Sequence, residues 1–340
     1  MDPNIDLNGG QLQNADLSGA DLRSANLAGA DLTGATLDQA KLINANLSNA
    51  NLSNASLHNA DLEGVNLHAA NLQGASLFGA SLHTADLNGA NLQGANLLWT
   101  FLFGSKLAGA NLSNATLNHA SLHNVDLSNA NLTDATLRHA LLHNVDLQGT
   151  GLTGAELSGA WISGQSQNAD FSNASLRGTL LTNLRLENAN FSNADLMSAD
   201  FSGADLSNAN LSGAHLVGTV LNAACVEGAV FVDCKWNRTM IANVDLRSLG
   251  EWTLGEHVSP SSVGIDTLYM TAGDAPLSEM PEPYRSFFIA CGVNPELFEA
   301  KQVGALDMLR QVTGELAGKQ QSGIIGSGAA AMPLTAGDKG

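Results

Sequence analysis

The side chains best placed for chemistry in this sequence are histidines at a fixed interval. His119 and His139 lie 20 positions apart, as do His123 and His143, while His83 occupies the slot matching His123, with Phe103 between them. Imidazoles held at a regular interval could bridge a transition metal, but the mixed shell of Cys, His and carboxylate usual for zinc does not accompany them. No metal site is therefore assigned, and His119, His139, His123 and His143 stand as a question for the structure. Cys225, Cys234 and Cys291 are too few and too scattered for a disulfide framework or a zinc site. Gly314-Glu315-Leu316-Ala317-Gly318-Lys319-Gln320 carries the Gly and Lys of a phosphate loop without its glycine spacing or the Ser or Thr after Lys. Ser, Asp and His recur throughout with no strained nucleophile turn. The expectation is a non-enzyme with no catalytic residue and no cofactor.

What would position these side chains is a repeat. From Leu7 an apolar residue returns every five positions as far as Ile162, giving 32 units of which 31 are centred on Leu. Two positions before the centre stands Ala in 24 of the 32, and two positions after it stands Gly or Asn in 24. Ala15-Asp16-Leu17-Ser18-Gly19 and Ala110-Asn111-Leu112-Ser113-Asn114 are examples. An α-helix, turning by about 100° per residue, would smear leucines five apart around its cylinder. A straight strand keeps Ala and Leu on one face but sends successive leucines to opposite faces, because five is odd. A short extended piece followed by a corner that restores parity satisfies both, and Gly and Asn tolerate the left-handed backbone such corners need.

With these residues the chain resembles the pentapeptide-repeat family, whose consensus is Ala-(Asp/Asn)-Leu-x-x. The resemblance covers residues 5–248 and implies an all-β solenoid, a right-handed quadrilateral β-helix of about 12 turns at one turn per 20 residues. Side chains 20 apart should then stack, and Asn51, Asn71, Asn91, Asn111 and Asn131 should form an amide ladder on the outside. The register breaks once: from Ile162 to Phe171 is nine residues where two units need ten, so a bend or small bulge is expected near 163–170. Units then resume from Phe171 to Leu246, with Phe171, Phe191, Phe201, Phe231 and Trp236 at some centres.

A stacked coil leaves unpaired edges at its ends. Near the end of the repeats the outward slots turn apolar at Val217, Val220, Cys225, Val230, Val232 and Met240, so a covering segment is expected there. Residues 249–318 are read as that cap, with dimerisation as the alternative role. Residues 249–280 look irregular, with Trp252, Leu254, Val258, Ile265, Leu268 and Tyr269 as contacts. A helix is expected over Pro283–Cys291, stopped by Gly292. A second starts at Asn294 as N-cap with Pro295 following, and Phe298, Leu306, Leu309, Val312 and Leu316 on its apolar side. Residues 319–340, rich in Gly, Ala and Ser, are read as a disordered tail.

The strongest anomaly is apolar. Phe78, Leu98, Trp99, Phe101 and Phe103 occupy outward slots that elsewhere hold Ser, Asn and Asp, and form a candidate interaction patch. Leu141, Trp161 and Leu180 form a second outward column. The expected function is therefore a protein–protein interaction scaffold with an unidentified protein partner, and a homodimer as one form of it. The resemblance also implies an alternative: family members are known that inhibit or protect type II topoisomerases such as gyrase by mimicking duplex DNA. The formal net charge is −18, and up to Leu246 there are 21 acidic and 8 basic residues. Over a rod of about 58 Å that is one net charge per roughly 4.5 Å, against about 1.7 Å for DNA. The charge has the wrong sign for direct nucleic-acid binding, and no apolar run is long enough to span a membrane. With no basic, apolar leader at the N-terminus, a cytoplasmic location is expected.

Overall fold

The computed structural model describes residues 5–253, 255–273 and 275–299. The tail, the phosphate-loop-like segment, Leu254 and the continuation of the second cap helix through Leu306, Leu309, Val312 and Leu316 lie outside the described residues. Within them the repeats wind as a four-sided parallel β coil. Each residue just before a centre bridges to its equivalent one turn on, as in the column Asn51, Asn71, Asn91, Asn111 and Asn131. The expected amide ladder is present, each Nδ2 donating to the Oδ1 one turn below: Asn71 to Asn51 at 3.0 Å, Asn91 to Asn71 at 3.0 Å, and Asn111 to Asn91 at 3.1 Å.

One unit explains the rest. The Leu92 N–H donates to Asn111 O one turn on at 2.7 Å, and the Gly94 N–H donates to Ser113 O at 2.9 Å. The Ala95 N–H then closes a tight turn on Leu92 O at 2.9 Å. Gly94, third in that turn, has φ +65°, so the chain turns a corner and the next Ala and Leu again point inward. Short polar side chains lock the corner: the Asp16 carboxylate accepts from the backbone N–H and hydroxyl of Ser18, and Asp31 accepts from Thr33 in the same way. Centres and the alanines two positions before them are buried from Leu22 onward, and where Thr replaces Ala its hydroxyl finds a carbonyl, Thr150 to Leu127 O and Thr219 to Leu196 O, both at 2.8 Å. Phe171 and Phe191 stack at 4.9 Å inside the tube, with Phe201 edge-on to Phe191 at 5.5 Å.

The expected register break is a bulge. Strand β1 (Leu141–Asp146) runs parallel to β2 (Trp161–Gln165), pairing Leu142 with Ile162 but Val145 with Gly164. Gly164 serves as both corner and inward residue, with φ +122°. Ser166 then stands at a centre, fully buried and with no hydrogen-bond partner for its hydroxyl. Ser166→Ala should therefore stabilise the fold by about 1 kcal/mol, the cost of an unpaired buried hydroxyl, read as a higher denaturation midpoint.

Residues 249–280 are more regular than expected. Beyond β3 (His215–Val217), β4 (Lys235–Asn237) and β5 (Met240–Ile241) the chain continues the ladder with β6 (Glu256–Ser259) on β4 and β7 (Ser262–Val263) on β5. Helix α1 (Ile265–Ala272) follows, then α2 (Glu282–Ala290), the latter close to its expected span and ending at Cys291 before Gly292. Asn294 caps as expected, its side chain accepting from Glu296 N at 3.0 Å, but only a 3-10 turn, Pro295–Phe298, follows within the described residues.

The apolar residues of this segment close the axial opening of the tube. Phe287, buried, is edge-on to Trp236 at 5.2 Å, to Trp252 at 5.6 Å and to His257 at 5.6 Å, and Tyr284 stacks on Trp252. The outward slots are a different matter. Val217, Val220, Val230 and Val232 are half-buried, and Met240 keeps 52% of its surface exposed although its backbone pairs with Ser262. For Met240 the expectation of burial is corrected: β7 extends the ladder edge to edge, which covers backbone and leaves an outward side chain outward.

Candidate functional site

Bridging fixes which outward residues share a side. Phe101 pairs onward to Ser121, Ser121 to Leu141, Leu141 to Trp161 and Trp161 to Leu180. Phe101 of the first patch and all of the second thus stand in one column, with Ser121 as its only interruption between Phe101 and Leu180. The sequence reading separated them because Ser121 looks like any other polar slot. Phe101 is 50% exposed and Trp161 48%, and Leu141 and Leu180 are exposed as well.

The histidines belong to the same side. On one flank the corner residues Trp99, His119 and His139 form a continuous stack, Trp99 on His119 at 4.4 Å with planes 7° apart and His119 on His139 at 5.4 Å and 17°. On the other flank Phe103, His123 and His143 follow one another, with His83 below packing edge-on against Phe101 and Phe103. Trp161 sits edge-on to His143 at 5.7 Å, and a shallow depression is lined by His123, Leu141, His143 and Trp161. Phe78 and Leu98 lie on the adjoining side, Phe78 edge-on to His58 at 6.0 Å and Leu98 half-buried next to Trp99. Three columns therefore make one aromatic face, and the 20-residue spacing of the histidines was the signal that could have joined them to it.

That face carries backbone strain. Trp99, His119 and His139 hold φ of +60°, +57° and +55° at corners where Gly and Asn prevail. A bulky side chain in the left-handed region costs roughly 1–2 kcal/mol. Gly159, next in the column, has no ring to continue the stack, and the His139 ring lies over the place its Cβ would take.

As metal ligands the histidines are poorly arranged. Imidazole lone pairs lie in the ring plane, so the nearly parallel rings of His119 and His139 do not aim at a common point. His123 Nδ1 lies 2.8 Å from Ser121 Oγ and His143 Nδ1 lies 2.9 Å from Ser163 Oγ, which leaves only the Nε2 of each ring for a cation, on rings tilted 55° to one another. Among the described residues no cluster of three or more His, Cys, Asp or Glu could hold a metal ion.

Charge is distributed differently. Carboxylates occupy all four bridging columns: Asp86, Asp126 and Asp146 in one, Asp31 and Asp170 in the next, Asp16, Glu156 and Asp195 in the third, Asp21, Asp61 and Asp200 in the fourth. Most are held locally: the Arg23 guanidinium beside Asp21 lowers its carboxyl to about 2, and the Thr33 hydroxyl and Gln13 amide lower that of Asp31. None of the columns is a continuous row of charge. Among thiols, burial pushes Cys234 and Cys291 up to about 12, whereas Cys225 is exposed. Thiolate is the reactive form, so a thiol reagent at pH 8 should label one cysteine per folded chain and all three in denaturant; rapid labelling of three in buffer would contradict the burial.

The repeat model named Pentapeptide repeats matches from residue 4 to residue 235 in successive runs that leave out only 165 and 166, where the bulge lies. The chain belongs to the pentapeptide-repeat family, and its fold is the right-handed quadrilateral β-helix of that family. Among solved structures it is similar to HetL, a pentapeptide repeat protein involved in heterocyst differentiation regulation in the cyanobacterium Nostoc sp. Strain PCC 7120. The identity is 31%, over 65% of this chain and 92% of HetL, with a TM-score of 0.43. A pentapeptide repeat protein of the Arabidopsis thaliana thylakoid lumen is 33% identical over 28% of this chain and 66% of its own, with a TM-score of 0.28. QnrB1, a plasmid-mediated fluoroquinolone resistance protein, is 17% identical over 54% of this chain and 90% of its own, with a TM-score of 0.23. No curated protein matches the chain by sequence. Among the described residues no helix is long and apolar enough to cross a membrane.

Proposed function

We propose that this chain is a protein-interaction scaffold whose contact site is the aromatic face running from Trp99, Phe101 and Phe103 to Leu180. The observation that carries this is the joining of Phe101, Leu141, Trp161 and Leu180 into one exposed column flanked by aromatic and imidazole rings. Large exposed apolar surface is costly in water and concentrates at contact sites, where Trp, Tyr and Phe anchor binding. The strained corners argue in the same direction. Gly or Asn at 99, 119 and 139 would serve the coil better, so the rings there are retained at the expense of stability. The dispersed carboxylates offer no comparable concentration of charge for imitation of duplex DNA.

Trp99→Gly separates the two roles. It removes the exposed ring and relieves the left-handed strain, so the variant should be at least as stable as the parent, by up to about 1 kcal/mol. Combined with Phe101→Ser it should abolish association at this face, measured as retention of partner or of self-association on the immobilised full chain. A stable double variant that associates as well as the parent would overturn the reading.

A further inference from the structure

We propose that the occupant of the aromatic face is a second copy of this chain, packed antiparallel about a two-fold axis at the level of Leu141. This rests on the reading of that face as a contact site and names what it contacts. The rungs of a β coil are evenly spaced at about 4.8 Å, so an antiparallel copy aligned at one rung is aligned at all of them. A two-fold contact is self-complementary: if residue i meets j, then j meets i.

The three columns satisfy that condition with one axis. In the central column Leu141 meets Leu141 of the copy, Ser121 meets Trp161, and Phe101 meets Leu180, so the single small residue receives the largest one. In the flanking column of corners His139 meets His139, His119 meets Gly159, and Trp99 meets Gly178, two rings over two glycines. In the other flank His143 meets His143, His123 meets Ser163, and Phe103 meets Thr182. Moving the axis by one rung breaks the pattern: about Ser121, Trp161 would face Ser81 while Phe101 faced Leu141, and Trp99 would face His139. Interdigitation of large with small side chains is what packs an interface to the density of a protein interior.

Charge leaves this face open to the same partner. The chain carries a formal net charge of −18, so most approaches between copies are repulsive. From Ser81 to Leu180 the central column has no carboxylate, and from His83 to Ser202 neither does the Phe103 flank. The first carboxylate above, Asp200, meets the Ser81 hydroxyl of the copy.

The full chain should sediment as a dimer whose dissociation is concentration-dependent. Leu141→Asp and Leu141→Lys each place like charges at the axis, on an exposed side chain that the fold does not need. Each should weaken the dimer at least about a hundredfold, as juxtaposed like charges do, while an equimolar mixture of the two should recover dimer mass. In a Cys225→Ser background, Leu141→Cys should cross-link to itself with a short bis-maleimide. Phe101→Cys should not, because antiparallel packing separates the two copies of residue 101 by four rungs, about 19 Å. A chain monomeric at every concentration overturns the proposal, as does a dimer indifferent to both charges or one in which residue 101 links as readily as 141. The contact-site reading fails separately: it falls only if the Trp99→Gly, Phe101→Ser variant keeps every association of the parent, whatever the partner.

Discussion

Gly164→Ala should cost on the order of 3 kcal/mol, although it adds a single methyl group. The backbone at Gly164 has φ +122°, a region L-residues rarely enter. A Cβ there would overlap the Val145 carbonyl oxygen and lie 2.7 Å from Val145 N, backbone atoms that cannot yield without opening the rung below. The cause is the four-residue unit: one residue acts as corner and inward residue together. Inserting a single Asn between Ser163 and Gly164 restores five. Gly164 then takes the inward slot that Ala fills elsewhere, and in that background Gly164→Ala should be neutral or stabilising. Denaturant midpoints of the four chains test this, and a Gly164→Ala penalty that survives the insertion would show that the missing residue is not the origin of the strain.

Such reversals illustrate what kind of information the sequence carried. A period of five with small and large apolar residues two apart excludes helix and flat strand by parity and requires a coil; its four sides, and with them the Asn ladder, were what the family resemblance implied, and the bulge near 165 was legible as one short interval. The side occupied by each outward residue follows from the 20-residue turn that the resemblance implies, yet the unity of the aromatic face was missed. Its residues lie up to 81 positions apart, from Trp99 to Leu180, and are interrupted by serine and histidine, types that mark nothing singly. Only the bridges Phe101–Ser121–Leu141–Trp161–Leu180 make them neighbours. Strands β6 and β7 were illegible for another reason. Parallel pairing onto an existing edge is made by backbone groups and needs no inward leucine, so Glu256–Ser259 could extend the ladder without the repeat signature.

Phe287→Ala should undock the cap while leaving most of the rod intact. Phe287 is 2% exposed and its ring meets Trp236, Trp252, His257 and Phe288, so its removal opens a cavity against the end of the core. Truncating a buried Phe costs about 3–5 kcal/mol, comparable with what a cap of two short helices and two edge strands can contribute. In a solenoid each turn contacts only its neighbours, so the loss is local. Hydrogen exchange should accelerate at Glu256, Ser262 and Gly264, whose amides donate to Cys234, Thr239 and Ile241, and then at the last turn as its edge is exposed. Amides in the middle of the rod, such as Leu92 and Gly94, should keep the parent's protection. If protection fell by the same factor at Leu92 as at Ser262, the chain would be unfolding as one unit and the cap would be integral to the whole coil. If protection fell nowhere, the contacts of Phe287 would not be what holds the cap on the open end, and the edge pairing of β6 on β4 and β7 on β5 would have to hold it unaided.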